Sequence, residues 1–349
     1  MPVISAVVVS HRSAALAMRA FESLRRDAAG SGLALETIAV VNSGDAQEAR
    51  ALESAADRVL FPERNLGYAG GLNAGLKAAS GEILVLSNPD VVLRPGALEA
   101  LRAAAASGLV AAGPALFLDE GETLHMPPGE EPRPCGLVRR RLGARGSAAV
   151  FRRAVRRALR AAREADEGET AAATALSGAL FAVSRATLER AGPFDEGYAL
   201  YYEENDWQRR LRALGGALLR VGAARVVHAY NQSARLEPRA AGWFAASERR
   251  YFTTHFGARG AAALDAVAPG AIAPPPPAPL EGGALPLAAP AAVALSPLAD
   301  FGSFAFAPRV AAGAWRPPAD VRAGFGSATW YARAVDPVTL GVLAEGALS

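Results

Sequence analysis

The stretch YYEENDWQRRLRALGG, Tyr201–Gly216, sets Glu203, Glu204 and Asp206 beside two tyrosines and a tryptophan. An ionised carboxylate held still beside a cleft is what a general base requires. Asn205 followed by Gln208 has the spacing of a capping box, and Gly215 suits a helix stop. A helix is therefore predicted with Glu203 and Glu204 just before its cap, where the positive helix end favours ionised carboxylates. Trp207, Leu211 and Leu214 would line its buried face, and Asp206 would complement the dipole. A second carboxylate comes from EILVLSNPDVVLRPG, Glu82–Gly96: Pro89 stops a buried strand and leaves Asp90 at its carboxyl end. A carboxylate there suits a divalent cation that completes its shell with substrate phosphates and water; an isolated NPD is usually just a turn, and its place at the end of a central strand is what favours the functional reading. His228 ends the apolar run ARVVH, where a lone histidine is more often structural.

These groups need a frame. Apolar runs at Ile4–Ser10, Thr37–Val41, Arg58–Phe61, Ile83–Leu86 and Leu109–Ala112 read as strands, separated by helical patterns near Ala14–Ala28, Gln47–Ala55, Gly70–Ala79 and Gly96–Ala106. That alternation predicts an α/β fold with a mostly parallel central sheet and helices on both faces. Ligands then bind beyond the carboxyl ends of the strands. ERNLGYAGGLNAGLKAASG, Glu63–Gly81, has Gly67, Gly70, Gly71 and Gly75 leading into a helix whose positive end suits an anion. Helix packing accounts for those glycines equally well. Arg64 and Asn65 stand where they would meet a phosphate or a sugar hydroxyl. No GxGxxG follows the first strand and no GK[ST] occurs, which disfavours a dehydrogenase and a Walker-type site.

The 349 residues are 51% hydrophobic, enough for a sizeable core, and the net charge of +3 gives no argument for nucleic acid. Cys135 is the only cysteine, so an intrachain disulfide is excluded. The start, MPVISAVVVSHRS, lacks a basic leader and reads as a first strand; Asn231-Gln232-Ser233 is accordingly not taken as a glycosylation site. The expected location is the cytoplasm, with peripheral contact to the cytoplasmic membrane face as the alternative. Arg139–Arg163 holds ten arginines and no acid, with Val150, Phe151, Ala154, Val155, Ala158 and Leu159 at helical spacing. This basic amphipathic helix is either a solvated face or a surface for anionic lipid. The run APPPPAP, Ala273–Pro279, reads as a semi-rigid linker. The division expected is 1–265 as one domain, with an Arg-rich insertion at about 136–165, a Pro-rich linker at 266–283, and a small β-rich appendage at 284–349.

Taken in order, VVVSHRSA, ERNLGYAGGLNAGLKAASGEILVLSNPDVVL, LSGALFAVSRATLERAGPFDEGYALYYEENDW and VVHAYNQS resemble the family 2 glycosyltransferases of the GT-A fold. The resemblance is greatest to the bacterial branch with rhamnosyltransferases and galactofuranosyltransferases, and covers roughly Val3–Gly257. It implies inverting transfer from a dTDP- or UDP-linked sugar to a hydroxyl of a glycan or lipid-linked glycan. Asp90 matches the surviving acid of the DxD metal motif, with Asn88 in place of the first acid. His228 matches a histidine of the metal shell, and Mg²⁺ or Mn²⁺ is the implied cofactor. Glu204 matches the base, more often Asp in the family. Donor contacts are expected from Ser10, Asn42, Asp45, Arg64, Asn65, Gly67, Asn73, Asn88 and Asp90. Acceptor contacts are expected from Glu203, Asp206, Trp207, Ser177 and Gly178. One departure is Val41, which stands where the family often has an Asp that recognises the pyrimidine base.

Two rival readings make different demands on the sequence. A nucleotidyltransferase of related fold would need a glycine-rich triphosphate loop, which HRSAAL, His11–Leu16, lacks. A non-catalytic sugar- or nucleotide-binding module would show a broken site, whereas Asp90, Glu204 and His228 are all present.

Overall fold

Seven consecutive buried residues, ISAVVVS, form the first strand and run through the middle of the chain's parallel sheet. The structure is a computed structural model describing residues 4–143, 148–229, 239–266, 276–325 and 328–348. Asn231-Gln232-Ser233, Arg145 and the start of the proline run lie outside the described residues. The order is β1 (Ile4–Ser10), α1 (Ala14–Gly30), β2 (Leu35–Val41), α2 (Ala46–Leu52), β3 (Arg58–Leu60), α3 (Gly67–Ala78), β4 (Ile83–Ser87) and β5 (Val91–Leu93). There follow α4 (Ala97–Ala105), β6 (Val110–Phe117), β7 (His125–Met126), α5 (Pro134–Gly143), α6 (Ala148–Asp166), β8 (Thr170–Ala172), β9 (Leu180–Ser184), α7 (Arg185–Ala191) and α8 (Glu203–Ala213). The chain ends with β10 (Ala217–His228), α9 (Ala240–Asp265), β11 (Leu285–Leu287), β12 (Ala291–Ser296), β13 (Ala305–Val310), β14 (Gly313–Trp315), α10 (Ala319–Ala323), β15 (Trp330–Val335) and β16 (Val342–Leu348).

Contacts divide the chain into two units, the first comprising 1–115, 129–131 and 165–254. In it β3, β2, β1 and β4 lie side by side and parallel, β4 is flanked by antiparallel β9, and β9 by β6. The βαβ crossovers expected from alternating strands and helices are present, and α3 packs on β1 at close range. A Cβ on Gly75 would lie 2.3 Å from Val7, and one on Gly71 2.9 Å from Val9, so these two glycines serve helix packing. The core gathers Val7, Val9, Val40, Leu72, Leu86, Phe181, Phe194 and Trp207.

The second unit comprises 116–128, 132–164 and 255–349. Its strands β16, β15, β12, β13 and β7 pair antiparallel, which gives the β-rich C-terminal region the sequence predicts. The arginine-rich segment belongs here. Phe151, Val155 and Ala158 of α6 are buried with Ala292, Ala294, Phe306 and Val335, so the apolar stripe of this helix is spent inside the unit. Arg152, Arg156 and Arg160, spaced one turn apart, stay exposed. Among the described residues no helix is long and apolar enough to cross a membrane.

Candidate active site

At the carboxyl end of β4 the ladder stops at Pro89, and Asn88-Pro89-Asp90 turns the chain into β5. Antiparallel pairing of β5 with β10 sets His228 opposite Val91, next to Asp90. His228 Nε2 then stands 3.3 Å from Asp90 Oδ1, both side chains being buried. A carboxylate oxygen and an imidazole nitrogen at the sheet edge make a donor set suited to a divalent cation. Among the described residues no group of three or more His, Cys, Asp and Glu could enclose a metal, so a cation here would take its remaining ligands from elsewhere.

Glu203 and Glu204 approach from α8, whose start differs from the capping-box prediction. The helix begins at Glu203 and its cap is Tyr202, with φ 70°; Tyr201, at φ 68°, is left-handed too. Left-handed backbone costs a non-glycine residue about 1–2 kcal/mol, and here aromatic packing holds it. Tyr201 meets Phe244 edge-on, Tyr202 packs on Phe244, Tyr251 and Phe252, and the Tyr202 hydroxyl donates to Glu248 at 2.9 Å. Asn205 is thus no cap; its amide donates to Glu204 Oε1 at 2.9 Å. Gln208 turns instead to the backbone of Leu176, accepting from its N–H and donating to its carbonyl. Leu214 is 44% exposed and not on the buried face.

The two glutamates also differ from the ionised pair expected at a helix start. Burial pushes Glu203 well above the usual carboxylate range, and the charge of Glu204 pushes it further. Burial raises Glu204 as well, against hydrogen bonds that pull it back. Glu203 Oε2 and Glu204 Oε2 are both buried without a hydrogen-bond partner. Desolvation thus overrides the helix dipole. Glu204 lies over Gly178, where a Cβ would stand 3.2 Å from Glu204 Cγ and 3.3 Å from Cδ.

Tyr68, a residue not singled out from the sequence, connects the Asn88–Asp90 turn to the residue beneath Glu204. Its hydroxyl donates to Asn88 Oδ1 at 2.7 Å and lies 3.5 Å from the Gly178 carbonyl. Burial together with the charges of Glu203, Glu204 and Asp90 raises its pKa well above the ordinary phenol value. Asp90 and Glu204, distant in sequence, therefore act on one hydroxyl.

The donor-side residues take more varied parts. Asn42 uses both ends of its amide on loop backbone, accepting from Leu66 N–H at 2.8 Å and donating to the Gly67 carbonyl at 2.9 Å. Asn73 is similarly occupied, accepting from Phe194 N–H and donating to the Phe194 carbonyl and Glu196. Ser10 is buried and donates to Glu48 Oε1 at 2.6 Å. Asp45 caps α2 by accepting from Gln47 N–H, and Asn65 accepts from Gly67 N–H. These are loop-building contacts. Gly67 is required on two counts, a φ of 72° and a Cβ position 3.0 Å from the Ala199 carbonyl. Arg64 is exposed.

On the acceptor side, Ser177 is exposed and Gly178 half-buried. Trp207 is fully buried, stacked on Phe194 with its indole N–H on the Gly192 carbonyl. Asp206 is buried and paired with Arg210 at 2.9 Å, one helical turn on.

Glu48 is the second residue the sequence reading passed over. It accepts from Ser10 Oγ at 2.6 Å, Ser43 Oγ at 2.5 Å, Ser13 N–H at 2.8 Å and Arg12 N–H at 2.9 Å. It thereby fixes the loops after β1 and β2 and holds Arg12 at its left-handed φ of 55°. Asp45 to Glu48 has the spacing of a capping box, the one signal that marks this residue, although the side chain goes to the neighbouring loops instead.

Residues 5–163 match the family model described as Glycosyl transferase family 2. No curated protein matches the chain significantly. The chain is similar to the structure of GalNAc-T7 with UDP, GalNAc and Mn²⁺, with 17% identity and a TM-score of 0.50 over 72% of this chain; it spans about half, 51%, of that one. It is also similar to mannosyltransferase PcManGT from Pyrobaculum calidifontis in complex with GDP-Man and Mn²⁺, at 18% identity and TM-score 0.45 over 78% of this chain and 77% of that one. A third similarity is to S. aureus TarS 1–349, at 14% identity and TM-score 0.40 over 64% and 60%.

Proposed function

We infer, from the match of residues 5–163 to the Glycosyl transferase family 2 model and from the GT-A fold, that the chain moves a sugar from a dTDP- or UDP-linked donor to a hydroxyl of a glycan or lipid-linked glycan, inverting the anomeric carbon. The observation that carries this reading is the buried Asp90–His228 pair, 3.3 Å apart at the sheet edge, with the Tyr68 hydroxyl joining the adjacent Asn88 to the Gly178 carbonyl beside Glu204. Asp90 and His228 would hold a divalent cation, Mg²⁺ or Mn²⁺, which when bound neutralises charge developing on the departing diphosphate. Glu204 takes the proton of the acceptor hydroxyl as its oxygen bonds to the anomeric carbon and the bond to the diphosphate breaks. Burial raises both glutamates, and the charge of Glu204 raises Glu203 further. A base whose pKa is raised accepts a proton more readily, which suits the task.

The test pairs binding with turnover. In the presence of Mn²⁺, calorimetry should show UDP or dTDP binding that Asp90→Ala loses. Glu204→Gln should keep that binding and lower kcat about 1,000-fold. Wild-type turnover in Glu204→Gln would remove the base assignment.

The partner surface proposed for anionic lipid is Arg139–Arg163, and the burial of the apolar stripe of α6 restricts it to charge alone. At roughly 1 kcal/mol per arginine, replacing Arg152, Arg156 and Arg160 by Gln should weaken vesicle co-sedimentation about 100-fold at low salt. Equal binding to neutral and anionic vesicles would refute it.

A further inference from the structure

Tyr68 touches each part of the site through a different atom. Its backbone N–H donates to the Ala199 carbonyl at 3.2 Å, in the segment that leads into the tandem tyrosines. Its hydroxyl reaches Asn88 and the edge of Gly178, the residue on which Glu204 is packed. The contact with Asn88 is directional. The hydroxyl donates at 2.7 Å, and the amide presents Oδ1 to it. Nδ2 is then the end of Asn88 not engaged by Tyr68. An amide nitrogen suits this position electrostatically: a second acid beside Asp90 would add negative charge where an anionic diphosphate has to enter, whereas N–H groups donate to phosphate oxygens at no such cost.

We propose that Tyr68 is a positioning residue, its hydroxyl fixing the amide of Asn88 so that Nδ2 donates to the diphosphate of the donor while the same ring holds that loop against the Gly178–Glu204 contact. This rests on the transferase reading above. It assigns to Asn88 a hydrogen-bond role that needs no charge, and to Tyr68 a share in the donor's affinity without contact to the reacting atoms.

Tyr68→Phe removes the hydroxyl and keeps the ring. In the full chain with Mn²⁺, UDP or dTDP affinity and donor KM should weaken about fivefold, the worth of one neutral hydrogen bond, with a smaller change in kcat. Asn88→Ala should weaken donor affinity at least as much, and the double variant should be no worse than Asn88→Ala, because the two residues act through one hydrogen bond. In the ligand-free protein the side-chain amide resonances of Asn88 should shift in Tyr68→Phe and stay put in a control substitution at exposed Glu53. Failure of the wild type to bind any nucleoside diphosphate would sink the transferase reading and this proposal with it. Binding by the wild type combined with independent, multiplying losses in the two single variants, or unmoved Asn88 resonances, would overturn the Tyr68 assignment alone.

Discussion

Two places at the carboxyl edge of the parallel strands bury glutamates and treat them in opposite ways. Burial pushes Glu48 up, yet hydrogen bonds from Ser10 and Ser43 and from the backbone of Ser13 and Arg12 outweigh it and leave the group below the ordinary carboxylate range. Glu203 and Glu204 keep buried oxygens without partners and are raised. Burial alone therefore does not say whether an acid is structural or chemical. The supply of donors does: a carboxylate whose lone pairs are all engaged holds loops together, and one with an orphaned oxygen is ready for a proton.

Replacing one residue in each place sharpens the contrast. The largest effect expected is that of Glu204→Gln on kcat, with the midpoint of urea unfolding not lowered, since no set of donors is stranded. Glu48→Ala should do the reverse, costing about 3 kcal/mol in urea unfolding because several buried donors lose their acceptor at once. Equal stability of that variant would break the comparison. The smallest effect concerns pH. With its folded pKa lowered, Glu48 adds stability above the ordinary glutamate value of 4.5 and loses it as pH falls through the lower folded value. Glu203, raised in the fold, costs stability increasingly as pH climbs from 4.5 through its folded value. Glu203→Gln should thus raise the thermal midpoint by a few degrees at pH 8 and leave it nearly unchanged at pH 4. A gain that is the same at both pH values would show that Glu203 is not an unmatched acid.

Much of the frame was legible because it is periodic. The buried strands ahead of Ser10, Val41 and Ser87, and the helices between them, announce themselves by apolar runs of fixed length. Asp90 was legible because proline ends a strand there, and His228 because it closes another. What escaped has no period. The Tyr68 hydroxyl joins residues 20 and 110 positions away, and its local setting, a glycine-rich helix start, says nothing of them. The start of α8 differs for a related reason: the local pattern at Asn205 and Gln208 is a good cap, but ring packing from α9 overrides it and starts the helix three residues earlier. In the same way the apolar stripe of α6 was visible, while its covering strands, more than a hundred residues later, were not.

The left-handed pair Tyr201 and Tyr202 has a consequence for biosynthesis. The rings that pin it belong to Phe244, Tyr251 and Phe252, so a ribosome that has just finished residue 238 has delivered both acids and none of their clasp. The clasp arrives with a stretch far past the matched segment 5–163, and a fragment trimmed to that segment would inherit Asp90 without Glu203 and Glu204.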